Sequence, residues 1–152
     1  MQTLMTKCRS LLVLLVSLAI PAAAAAEYAV VVNSENTYSA SADKQKNVLK
    51  RLFLKRQKSW PNGIDAEPFN LKEDNPAYQA LLESILEMDE AAVAAHWLAE
   101  KQTTGTTPPT SIASARVIMK LIGKKTGGVA IVSEADAQDL PETVKVLFTF
   151  SD

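Results

Sequence analysis

The sequence is poor in the residues that most enzymes and metal proteins depend on: one cysteine, Cys8, and one histidine, His96, in 152 residues. A single cysteine forms no intrachain disulfide, and a single histidine leaves neither a multi-histidine metal site nor a Ser-His-Asp triad with a spare base. Glycine occurs only five times, and no glycine-rich phosphate loop, G-x-S-x-G elbow or dinucleotide fingerprint is present. Neither sign of charge dominates, with 16 basic and 17 acidic side chains. That balance excludes a global pull toward nucleic acid or an anionic membrane. The only long apolar run, residues 11–20, falls short of the roughly 20 residues that span a bilayer. Nothing here points to an enzyme, a cofactor or a metal.

That apolar run has a different meaning. Lys7 and Arg9 precede it, and Pro21 and the alanines at 22–26 follow it. A basic start, a short apolar core and an A-x-A end read as a secretory signal peptide over residues 1–26, cleaved before Glu27. Export to the periplasm is the expectation, with no stable membrane insertion once the signal is gone. Cys8 precedes the apolar run, on the wrong side for a lipoprotein cysteine, and leaves with the signal. Lys7 and Arg9 leave too, so residues 27–152 carry 14 basic and 17 acidic side chains, a net charge of −3. This is one domain by size.

Along residues 27–152, hydrophobic spacing alternates between strand and helix periods. Residues 28–32 read as a buried strand ending at Asn33-Ser34. Ser41 is placed to cap a helix whose stripe is Val48, Leu49, Leu52 and Phe53. Trp60-Pro61-Asn62-Gly63 is a turn. Residues 64–71 then run extended as a second strand, at an edge on account of Pro68. Asn75-Pro76 opens a helix carrying Tyr78, Leu81, Leu82, Ile85 and Leu86 and ending near Glu87. Asp89 caps another through Val93, Trp97 and Leu98, and a polar loop occupies residues 103–109. Ser111 is read as the cap of the next helix, with Ile112, Ala115, Ile118, Met119 and Ile122 as its stripe. Residues 129–132 and the alternating Val144, Val146, Phe148 and Phe150 complete the strands. The sum is an α/β or α+β layered domain, without internal repeats or heptads.

The order of these motifs resembles the type 2 periplasmic binding proteins, specifically the phosphate-binding subunits of ABC transporters. The resemblance rests on a Val-rich strand ending in Asn33, a helix leading to Leu52-Phe53-Leu54, and the Trp60 turn with its following extended segment. It continues with a helix holding Trp97, the Gly105-to-Pro109 loop and the Gly127-Gly128 entry to an apolar strand. It implies an α/β fold, a single lobe with a small mixed sheet flanked by helices. It also implies capture of phosphate or another small anion in connection with an ABC permease. One difference in chemistry goes with it: Lys72-Glu73-Asp74-Asn75-Pro76 stands where the family commonly has a Ser-Gly-Thr anion-binding turn, and carboxylates repel phosphate.

The residues expected to hold an anion are Thr104, Gly105, Thr106 and Thr107, with Ser111 as a helix-start hydroxyl. Hydroxyls donate to an oxyanion, glycine lets backbone N–H groups approach, and free amides at a helix start favour negative charge. An ordinary surface loop is the competing reading. The basic run from Lys44 to Lys58 reads as the solvated face of a helix. Trp60 and Trp97 read as core, His96 as structural, and the acids Glu134, Asp136 and Asp139 as a solvated loop lacking the order of a calcium site. An envelope interaction module, a lobe that kept the scaffold and binds a protein partner in place of a solute, is the alternative to solute capture.

Overall fold

The computed structural model describes residues 25–152; the expected signal segment lies, apart from its last two residues, outside them. Five strands form one sheet: β1 (Glu27–Asn33), β2 (Glu67–Leu71), β3 (Thr110–Ile112), β4 (Gly128–Ser133) and β5 (Val144–Ser151). Their order across the sheet is β3-β2-β4-β1-β5. β1 runs antiparallel to both β4 and β5, whereas β2 runs parallel to β3 and β4. The sheet is therefore mixed. Every residue of β1 after Glu27 is buried. Because neighbours along a strand point to opposite faces, both faces of this strand are covered, which is why it reads as an unbroken apolar run.

Five helices pack around the sheet: α1 (Ala42–Phe53), α2 (Pro76–Ala80), α3 (Glu90–Thr103), α4 (Ala115–Ile122) and α5 (Glu134–Ala137). α1 buries Val48, Leu49, Leu52 and Phe53, although Ser41 at its cap position makes no side-chain cap bond. Asn75 caps α2 by accepting from the Ala77 N–H at 2.9 Å, and Pro76 follows as the first helical residue, where no N–H is needed. The chain then widens into a π-helical turn, Leu81–Leu86, that buries Leu81, Leu82, Ile85 and Leu86. It stops at Glu87, which is left-handed at φ 53°. Each such side chain, fully buried, contributes roughly 1.5–3 kcal/mol relative to exposure.

Three expectations change. β2 is an interior strand, not an edge. Glu67 N–H donates to the Gly127 carbonyl at 3.0 Å, so the N–H that Pro68 lacks would point to the other side, where pairing with β3 begins only at Phe69. Ser111 does not cap a helix: it lies within β3, paired with Asn70, and α4 starts at Ala115 after Ser114. Residues 134–137 form a short helix, α5, whose cap Ser133 accepts from the Asp136 N–H at 3.1 Å.

Candidate functional site

β2 and β3 end side by side, Leu71 opposite Ile112, and beyond them opens a crevice of about 660 Å³. Asn70, from the end of β2, and Ser111, from β3, line it; Glu73 and Tyr78 come from the β2–α2 connection and α2. α3 supplies Glu90, Val93, Ala94 and Trp97, and Pro108 with Pro109 close the remaining side. In open α/β sheets the carboxyl ends of parallel strands are where ligands sit, because the connections diverge there and leave a gap.

The polar groups in this crevice are mostly acceptors. Asn70 Oδ1 is buried and has no hydrogen-bond partner. Ser111 Oγ donates to the Leu71 carbonyl at 3.4 Å, leaving its lone pairs open. Glu90 accepts from Gln79 Nε2 at 2.7 Å. Burial pushes the Tyr78 phenol up from its ordinary pKa, and the charges of Glu73 and Glu90 push it further. Both carboxylates are thus felt at the Tyr78 ring. Among the described residues no Lys or Arg lines the crevice, although Lys55 Nζ reaches the Pro108 carbonyl at its rim, at 3.4 Å.

Of the five residues expected to bind an anion, the structure puts only Ser111 in this crevice. Thr104, Gly105, Thr106 and Thr107 form the turn after α3 that leads to Pro108, and none of them lines it. Thr104 Oγ1 donates to the Glu100 carbonyl at 2.9 Å and accepts from the Thr106 N–H at 3.2 Å. Gly105 takes φ 72°, and Lys55 Nζ approaches the Pro108 carbonyl at 3.4 Å. The Thr104 and Thr106 hydroxyls are engaged with each other and with the end of α3.

Sequence reasoning missed Asn70, Glu73, Tyr78 and Glu90 as lining residues. The one signal for Asn70 was a polar residue in the short strand Glu-Pro-Phe-Asn-Leu. Tyr78 sat on a helix stripe with core leucines. Trp60 is core as expected, 2% exposed, but Trp97 is only half-buried and faces the crevice. His96 Nε2 lies 3.1 Å from the Leu54 carbonyl, tying α3 to the end of α1. Among the described residues no His, Cys, Asp and Glu side chains gather in a group able to hold a metal. A smaller depression, about 420 Å³, lies between α4 and α5 beside Arg116, Lys120, Asp136 and Asp139.

No family profile matches the chain, and no curated protein matches it in sequence. Solved structures do match it. An ABC-type phosphate transport receptor from Vibrio cholerae superposes with a TM-score of 0.57 at 15% identity, over 80% of this chain and 46% of that one. A possible phosphate binding protein from Planctomyces limnophilus superposes with a TM-score of 0.53 at 12% identity, over 81% of this chain and 42% of the other. The chain spans less than half the length of either. What the likeness shows is the fold: an α/β domain, a small mixed sheet flanked by helices, shared with part of each of those structures.

Proposed function

We propose that the chain is a non-catalytic solute-binding lobe that works with an ABC transporter in the periplasm, its ligand seated in the crevice beyond β2 and β3. The observation that carries this reading is Asn70, which lines the crevice and whose Oδ1 is buried without a donor. An orphaned acceptor costs about 1–3 kcal/mol, and a ligand N–H or O–H that meets it on rotation of the side chain removes that cost. Trp97 reports the test. Titration with a panel of anionic, neutral and cationic solutes shifts tryptophan emission for at least one class, and Trp97→Phe abolishes the shift while Trp60 remains. A folded protein that responds to none of them sinks the reading.

Phosphate or another small anion is the ligand that the resemblance implies, and both similar solved structures are described as phosphate proteins, one a transport receptor and one a possible binding protein. An anion would take a second seat outside the crevice, the turn of Thr104, Gly105, Thr106 and Thr107, where the positive φ of Gly105 turns the backbone and the Lys55 ammonium stands beside Pro108. Calorimetry with phosphate, sulfate and molybdate tests it. Alanine at Thr104, Thr106 and Thr107 together lowers phosphate affinity at least about tenfold if two charge-independent hydrogen bonds are lost; unchanged affinity removes the turn from consideration.

A protein partner in the envelope is the second reading, favoured by α3. This 14-residue helix buries only Val93, and Leu98 is 60% exposed. A stable partner recovered from envelope extracts through wild-type protein but not through Leu98→Glu supports it.

A further inference from the structure

We infer that the crevice beyond β2 and β3 takes an organic ammonium ion bearing N–H donors, such as an aliphatic diamine, and not an anion. The inference rests on the solute-binding reading and names the ligand class that its lining selects. Four features converge on one charge sign. Glu73 and Glu90 both line the crevice, and no basic side chain does. Neither carboxylate is in an ion pair among the described residues, whose two pairs are Lys50 with Glu87 and Lys125 with Glu67. Asn70 Oδ1 offers a buried acceptor with no donor, and Ser111 spends its proton on Leu71.

The rest of the wall suits the carbon frame of such a ligand. Tyr78 and Trp97 line the same space, and aromatic faces attract cations through the ring quadrupole. The prolines and Val93 offer apolar surface to a methylene chain. An anion meets the reverse: two exposed carboxylates at the crevice wall, whose repulsion is strongest at low salt. An ammonium group supplies both what the carboxylates lack, a counter-charge, and what Asn70 lacks, an N–H.

The test is calorimetric titration of the folded chain with putrescine, with tetramethylammonium and with inorganic phosphate. Putrescine binds, and Glu73→Gln and Glu90→Gln each weaken it roughly tenfold, the usual loss for one charge-assisted hydrogen bond. Raising the salt concentration weakens it further. Tetramethylammonium, which has the charge but no N–H, binds more weakly than putrescine, and Asn70→Leu narrows that gap. Far-ultraviolet circular dichroism confirms that each variant is folded. Binding of phosphate in the crevice, read as loss on Trp97→Phe, overturns the cation assignment while leaving solute binding intact. Putrescine affinity unaffected by either glutamine variant overturns it as well. No binding of any solute overturns both readings together.

Discussion

Gly127 shows how much a single backbone position controls. A Cβ there would fall 1.7 Å from the Asp65 carbonyl oxygen, and the same residue's carbonyl accepts both the Glu67 N–H at 3.0 Å and the Trp60 indole N–H at 3.0 Å. Glycine is required because the 60s loop lies directly on it. Gly127→Ala forces that loop away and with it the Trp60 anchor, so its cost is at the exceptional end for a point substitution, about 4 kcal/mol or more; urea denaturation measures it. Trp60→Phe keeps the ring but drops one of the two donors to Gly127, a milder loss of about 1 kcal/mol. The turn at Trp60-Pro61-Asn62-Gly63 and the burial of Trp60 were legible from residue types alone. Its partner was not, because local spacing carries no information about a contact 67 positions away.

At the scale of elements, helix termini were read correctly where a side chain caps locally and incorrectly where tertiary pairing decides. Asn75 and Asp89 both cap as their types suggest, accepting from Ala77 and Ala92 N–H groups. Ser111 has the same chemistry, yet Phe69, Asn70 and Leu71 recruit Thr110, Ser111 and Ile112 into a strand. The helical stripe through Ile112 therefore starts one turn later, at Ala115. Ser133 was missed as a cap because the acids after it look like a solvated loop, although its exchange of hydrogen bonds with Asp136 closes a turn. For α3 the cap matters more than usual, since Val93 is its one fully buried residue, helped only by half-buried Trp97 and the His96 contact to Leu54. Asp89→Ala lowers stability by about 1 kcal/mol. Because so little else holds α3 down, the larger signal is local: its amides exchange faster than those of α4, as hydrogen-exchange mass spectrometry will show. The same change loosens the wall carrying Glu90 and Trp97, so crevice affinity falls with it.

Across the sheet, β1 lies in the interior and β5 at an edge, and their pairing sets Glu27 opposite Ser151. Apolar runs told that β1, β2, β4 and β5 are strands and missed β3, and the order across the sheet depends on packing that no periodicity encodes. The crevice follows from that order, since only the neighbouring of β2 and β3 brings Asn70 beside Ser111. Topology also sets two acids of opposite behaviour. Tyr28 pairs with Ser133, which brings Glu27 beside Glu134; the hydrogen bond that protonated Glu134 donates to the Glu27 carboxylate, and then that carboxylate's negative charge, raise the Glu134 pKa. Glu87 is lowered, first by its hydrogen bond from Lys50 at 2.8 Å and then by that lysine's charge. The signs follow from linkage. Glu87, with its folded pKa depressed, contributes stability above its unfolded value that is lost as pH falls through the folded one. Glu134, with its folded pKa raised, contributes stability below its unfolded value that is lost as pH rises through the folded one. At neutral pH the first helps and the second opposes folding. Glu134→Gln therefore stabilises the protein at pH 7, where the two carboxylates repel, and the gain disappears in acid, where Glu134 is protonated. Paired urea melts of the variant and parent at about pH 7 and about pH 3, on either side of the carboxylate range, measure that difference, and an equal gain at both would mean that Glu27 and Glu134 do not interact.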